Sequence, residues 1–279
     1  MKKFFIHFLS NRGAAVGLVI LLLVILMALF ASFFYTDSPW MMVADPLIPP
    51  FTNSDYPLGT DMLGRDLAAG LAYGARVSLL IGIVSTAVAV VVGIFIGAIA
   101  GYYGRWLDDV LMRFTEFFQT IPHLAMALVL VAIFKPSTLS IVASIAVVSW
   151  PPVARLVRSE FMSLKQREFV QASVVIGQVP ARIIFTQILP NAASPIIVTA
   201  SLMTATAILV ESSLSFLGLG DRNYMSWGFM IGAARTMLRE APWMSLWPGL
   251  FIMLTVLAIN LIGEGLNDAL NPQLRKRGA

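Results

Sequence analysis

The sequence predicts an all-α integral membrane protein with six transmembrane helices and both termini on the cytoplasmic side. Three observations carry this prediction. Of the 279 residues, 58% are hydrophobic and only 12% charged, with a mean hydropathy of +0.83; a soluble domain carries roughly 25% charged residues. Six apolar runs are long enough to supply the roughly 20 helical residues that a hydrocarbon core of about 30 Å requires. Lys and Arg gather on one side of those runs.

The first span is expected over 14–34, behind Lys2, Lys3 and Arg12. It is too long for a signal-peptide core and is read as a retained helix. The second, over 77–101, carries Gly93, Gly97 and Gly101 at four-residue spacing, a small-residue stripe that lets a neighbouring helix approach closely. The third is placed at 115–134, with Pro122 near its cytoplasmic entrance, and the fourth at 138–154, ending at Trp150-Pro151-Pro152. The fifth covers 192–217 and the sixth 244–263.

Charge sets the orientation. With the N-terminus inside, the inner segments hold Lys2, Lys3, Arg12, Arg105, Arg113, Arg155, Arg158, Lys165, Arg167, Arg182, Arg275, Lys276 and Arg277. The outer segments hold only Arg65, Arg76, Lys135, Arg222, Arg235 and Arg239. The formal net charge of +4 and the pI of about 9.6 are therefore assigned to loops beside the membrane lipid, and no nucleic-acid partner is expected.

Two outer segments are long. Residues 35–76 are rich in Pro, Asp and aromatics; residues 218–243 hold an expected short interfacial or re-entrant helix at Ser226–Leu238, with Trp227 and Trp243 at headgroup depth. Long ordered loops usually have a function, the bland alternative being a solvated cap over the bundle.

The stretch between the fourth and fifth spans, Arg155 to Asn191, reads as a helical hairpin. Gly177 stands where a helix ends in a left-handed residue, and Pro180 where the next helix begins. One helix is expected over 158–176 and a shorter one over 180–189, with Pro190 separating it from the next span. Small residues at 172, 173 and 177 permit close approach by a partner, and Val174, Val175, Ile183 and Ile184 offer an apolar knob. The alternative is an extension that packs only on its own bundle.

This pattern resembles the Glu-Ala-Ala…Gly loop in permease subunits of binding-protein-dependent ABC importers, with Gln171 in place of Glu and Ser173 in place of the second Ala. Flanking Arg167-Glu168-Phe169-Val170 and Ile188-Leu189-Pro190-Asn191 resemble the dipeptide/oligopeptide/nickel branch. So do the stretches 57–66 (PLGTDMLGRD), 214–220 (LSFLGLG), 247–250 (WPGL) and 260–266 (NLIGEGL), and the likeness spans nearly the whole chain. The resemblance implies a type I ABC importer permease core whose cytosolic coupling helix docks on a separate ATPase. It places Gln171, Ala172, Ser173, Gly177, Pro180 and Ala181 in that loop. It also implies as partners a homologous permease, two ATPase subunits and an extracytoplasmic substrate-binding protein, in the bacterial inner membrane. Di- or oligopeptides are the expected substrate class, with nickel chelates, glutathione-like peptides and opine-type compounds left open.

On this reading residues 1–76 form the first helix and outer loop. Residues 77–265 are the core, with the coupling loop at 155–190, and 266–279 a cytosolic tail. Nothing catalytic is expected. Cysteine is absent, and none of the five lysines follows a glycine as a phosphate-binding loop requires. His7 and His123 lie too far apart to form a metal pair and are expected to be interfacial or structural. No cofactor or metal is expected, ATP belonging to partner subunits.

Glu211 is an ionisable group inside a span, which makes it a functional candidate by default. It is expected to serve gating or structure, by lining the path, pairing with Arg235 or Arg239, or holding the fold by hydrogen bonds. Asn260 and the run Thr199, Ser201, Thr204, Thr206 are weaker candidates. Asp61, Arg65 and Asp66 sit in the outer loop where a binding protein would dock. Two rivals from other classes are a secondary transporter, which would show paired interrupted helices in related halves, and a membrane scaffold without a transport path.

Overall fold

The computed structural model describes residues 8–270, and among them the chain is built of helices, with one isolated bridge between Thr60 and Asp66. The basic ends that hold Lys2, Lys3, His7, Arg275, Lys276 and Arg277 lie outside the described residues.

Helix α1 (Arg12–Phe34) begins at an Asn11 cap and exposes Val19, Leu23, Leu29 and Phe33, a face suited to lipid. Its other face lies on α9 (Trp243–Leu270). There Gly17 allows contact, since a Cβ would stand 2.6 Å from the Ala258 carbonyl. Asn11 Nδ2 also donates to Asp268 at 2.8 Å.

Helix α2 (Leu67–Tyr103) starts ten residues before the expected second span, because Asp66 accepts from Ala68 N and caps it. It packs most extensively on α5 (Thr138–Lys165), and the glycine stripe is the reason. A Cβ at Gly93 would meet Val153 at 2.5 Å, one at Gly97 the Ala154 carbonyl at 2.4 Å, and one at Gly101 the Arg158 carbonyl at 2.7 Å. Helix α5 does not stop at Pro151-Pro152 as expected but continues for thirteen more residues. The burial of Trp150, Pro151, Val153, Ala154 and Val157 against neighbouring helices outweighs the lost backbone bonds, as membrane bundles allow.

The third span is the main departure from expectation. It is two helices, α3 (Arg105–Thr120) and α4 (His123–Phe134), bent by 86°. Pro122 forces the preceding Ile121 into extended backbone and breaks the helix. Contacts give the pair its depth. Asp108 meets Arg158, Phe114 and Phe118 meet Trp150, His123 meets Ser149, and Lys135 O accepts from Ser140 Oγ. The pair thus climbs α5 from Arg158 to Ser140, about 27 Å at 1.5 Å per residue. By length and composition the bent pair counts as a sixth candidate span beside the five long helices.

After α6 (Glu168–Val175), α7 runs from Pro180 to Leu219 without the expected break at Pro190. A π turn at Ile183–Ile188 precedes it, with Leu189 N donating to Ile184 O, and the widened turn accommodates the proline ring. A second π turn at Ser215–Leu219 closes α7. Helix α8 (Trp227–Ala234), followed by a 3₁₀ turn, realises the expected short helix. Trp227 is fully buried rather than at a headgroup surface, its Nε1 donating to Leu71 O at 2.9 Å.

Candidate functional site: the hairpin between α5 and α7

Helix α5 stays in contact with α2 to its end at Lys165, whose Nζ donates to Tyr102 O at the end of α2. The helix expected over 158–176 is interrupted at Gln166-Arg167, where Arg167 is extended (φ −73, ψ 145), and resumes as α6. Gln171 braces the break by donating from Nε2 to Lys165 O at 2.8 Å.

Helix α6 ends as the sequence predicts. Gly177 takes φ +81, Gly177 N donates to Val174 O at 2.9 Å and Gln178 N to Ser173 O at 3.1 Å. These two crossed bonds form a Schellman cap, which satisfies the last carbonyls and reverses the chain within two residues. Pro180 then opens α7 with no N–H to leave unpaired.

The hairpin has two chemically distinct sides. Its inner side is anchored by buried Val170, Ile183 and Ile188, packed with Val157, Phe161 and Ala192. Its outer tip is apolar and uncovered: Val175 is 86% exposed and Ile176 78%, with Val174 and Val179 beside them. This corrects the expected knob. Val174 and Val175 belong to it, whereas Ile183 is turned into the bundle and Ile184 packs half-buried against the same core, and Ile176 and Val179 take their place. Of the residues singled out for docking, Gln171, Ala172, Gly177, Pro180 and Ala181 are exposed around the tip, while Ser173 is buried with its Oγ donating to Phe169 O. The turn around Gly177 hid Ile176 and Val179 from a periodicity reading, because they lie in the break rather than on a helix face.

An ion pair joins α3 to α5. Arg158 presents its fork to Asp108, with Nη2 donating to Oδ2 at 2.6 Å. The pair sits just above the hairpin and fixes the α5 extension to the lower half of the broken span.

The other singled-out residues lie elsewhere. Glu211 is 1% exposed at the far end of α7 and accepts from Ser215 Oγ at 2.8 Å and Ser226 Oγ at 2.7 Å. Among the described residues no ion pair joins it to Arg235 or Arg239. Asn260 is exposed on α9. Ser201, Thr204 and Thr206 bond carbonyls of their own helix.

In the loop between α1 and α2, Asp61 accepts from Leu63 N and Arg65 N, Arg65 stacks over Trp40, and Asp66 caps α2. The loop is thus internally braced. Gly64 (φ +72) approaches Ala44, and Thr60 Oγ1 accepts from Ile48 N and donates to Asp45 O. Burial pushes the Asp66 carboxyl above its ordinary value, against the backbone N–H groups of Ala68 and Ala69 that favour its charge.

Residues 93–276 match the family described as "Binding-protein-dependent transport system inner membrane component", and residues 1–56 match the "N-terminal TM domain of oligopeptide transport permease C". The chain is 41% identical over 272 residues to a dipeptide transport system permease protein of Alkalihalophilus pseudofirmus, covering 95% of this chain and 88% of the relative. It is 40% identical to a di/tripeptide transport system permease protein of Pseudomonas aeruginosa (99% and 93% covered). To an oligopeptide transport system permease protein of Bacillus subtilis it is 37% identical (99% and 90% covered). Among solved structures, an inward-facing MetNI methionine ABC transporter shares the fold at TM-score 0.59 and 16% identity, covering 72% of this chain and 96% of that one.

Proposed function

Because the chain belongs to the inner membrane components of binding-protein-dependent transport systems, we propose that it is one of two permease subunits of an ATP-driven importer of di- and oligopeptides. The peptide class rests on the names of the relatives at 37–41% identity. Both termini and the hairpin face the cytoplasm in this reading, which the Lys and Arg distribution supports.

The observation that carries the mechanism is the two-sided hairpin. A rigid element with a buried root and a bare apolar tip is suited to transmit motion. Val175, Ile176 and Val179 enter a cleft on a separate ATPase subunit, and the Schellman turn holds the tip at fixed geometry. The buried root passes displacement to α5 and α7, and the Asp108–Arg158 pair passes it to the broken span. Closure of two ATPases on ATP then draws two such hairpins together and switches the path between its two facings. An extracytoplasmic binding protein delivers the peptide to the braced outer loop, where Asp61, Arg65 and Asp66 shape the surface it meets. Glu211 serves the path indirectly, as the tie between α7 and α8.

Peptide uptake by proteoliposomes holding the complete complex tests this reading. Accumulation of a labelled dipeptide that requires enclosed ATP and is unaffected by a nickel chelate is the expected result. Accumulation driven by an ion gradient without ATPase subunits would turn the assignment to a secondary transporter.

A further inference from the structure

We propose that one stripe of α3, Asp109, Arg113, Glu116 and Thr120, together with His123 at the elbow, forms an aqueous wall of the translocation path and meets the charged ends of the peptide. The inference rests on the importer reading above and adds to it the surface that the solute touches.

The stripe follows from helical spacing. Residues 109, 113, 116 and 120 recur at four, three and four, so at 100° per residue they share one narrow face. All four are exposed, as is His123. A separate seam of α3, roughly a third of a turn from the stripe, holds buried Asp108 and Thr115 against the bundle. Beside the polar stripe runs an apolar one, Trp106, Val110, Phe114 and Phe117, also exposed. A helix lying in the interface also shows a polar and an apolar side; what sets α3 apart is its course along α5 from Arg158 to Trp150.

Depth turns the pattern into a functional statement. Ser149, which lies 3.2 Å from His123 Nε2, is eleven residues into α5, about 16 Å at 1.5 Å per residue. That is near the middle of a hydrocarbon core of about 30 Å. Charged and hydrogen-bonding side chains rising to that depth are expensive in lipid and require water or polar company. The elbow makes the same demand independently. The backbone leaves the helix at Ile121-Pro122, where Pro122 is exposed and Ile121 half-buried, and non-helical backbone at mid-depth is tolerated only when it is buried in protein or lines a water-filled cavity. The apolar stripe then takes the lipid or the second permease, and the polar stripe the path. Both signs of charge are present, which suits a zwitterionic peptide of variable side chains.

The absence of cysteine from the chain makes single-cysteine mapping direct. Thr120→Cys and Glu116→Cys are compared with Val110→Cys and Phe117→Cys in the reconstituted complex, using a membrane-impermeant anionic methanethiosulfonate added from the hairpin side without nucleotide. Only variants recovered with the ATPase subunits are scored. At least tenfold faster labelling of Thr120→Cys and Glu116→Cys than of the other two is expected, with Thr120→Cys slowed several-fold by saturating dipeptide. Equal labelling across the two stripes would overturn the wall, and labelling unaffected by dipeptide would overturn contact with the solute. ATP-driven dipeptide uptake by the cysteine-free parent in the same vesicles separates the two readings. Loss of uptake with the labelling pattern intact would count against the importer alone, and uptake without the pattern against the wall alone.

Discussion

Ser226, the N-cap of α8, donates its hydroxyl hydrogen to Glu211 Oε1 of α7 at 2.7 Å while its oxygen accepts from Phe229 N at 3.1 Å. One hydroxyl therefore both starts the short helix and fastens it to the end of α7. A Cβ on Gly228 would stand 2.6 Å from Ser212 Cα, so α8 lies against α7 at closest approach. Removing the carboxyl leaves Ser215 and Ser226 short of a buried acceptor. Glu211→Ala is expected to cost about 1–3 kcal/mol and to speed amide exchange in α8. Glu211→Gln, which keeps an acceptor oxygen, should lose less. Thermal unfolding of the solubilised complex and hydrogen exchange read the two effects.

The α2–α5 seam is the most sensitive packing site. A Cβ at Gly97 would stand 2.4 Å from the Ala154 carbonyl and 2.7 Å from Val157 Cβ, neither of which is the free end of a flexible chain. Gly97→Ala should destabilise by about 1–3 kcal/mol, and Gly97→Leu should prevent recovery of the folded complex. By contrast a Cβ at Gly104 meets nothing within 4 Å. Substitution at Gly104 should therefore cost only backbone strain. Thermal melting of Gly97→Ala and Gly104→Ala side by side tests the difference.

Much of this was legible in the sequence. The glycine spacing at 93, 97 and 101 named the α2 interface, and Gly177 with Pro180 named the turn of the hairpin. Proline was the least readable residue. Pro122 breaks a span, whereas Pro151, Pro152 and Pro190 do not, and the local chemistry of all four is alike. The outcome depends on what packs around each: α5 stays continuous with Trp150 and Val153 buried beside its prolines, and a π turn admits Pro190. The partners of Glu211 were likewise hidden, since Ser226 lies fifteen residues away across a loop. The polar stripe of α3 was present as a spacing, but only the contacts with α5 show that it climbs.

Asp221 fastens the start of α5 to the segment before α8, accepting from Thr138 N and Thr138 Oγ1, each at 2.7 Å. Burial alone would raise its carboxyl. The backbone N–H of Asn223 and the two donors of Thr138 outweigh that and hold it below its ordinary 3.8. A group depressed on folding stabilises above its unfolded value, and that contribution is lost as pH falls through the folded one. Stability should therefore decline as the pH drops below about 3.8, more steeply in the parent than in Asp221→Asn. At neutral pH, Asp221→Ala should cost about 1.5–3 kcal/mol. Melting of the complex from pH 7 to pH 3 measures both.

The central claim is that the bare hairpin tip carries the ATPase signal, and the most direct measurement is peptide-stimulated ATP hydrolysis by the reconstituted complex carrying Val175→Asp and Ile176→Asp. Both side chains are exposed and hold nothing in the chain itself, so the variant should fold, insert and melt as the parent does. The account predicts that peptide stimulation and uptake fall at least tenfold together. Undiminished stimulation and uptake from a normally assembled complex would contradict it and place the coupling surface elsewhere.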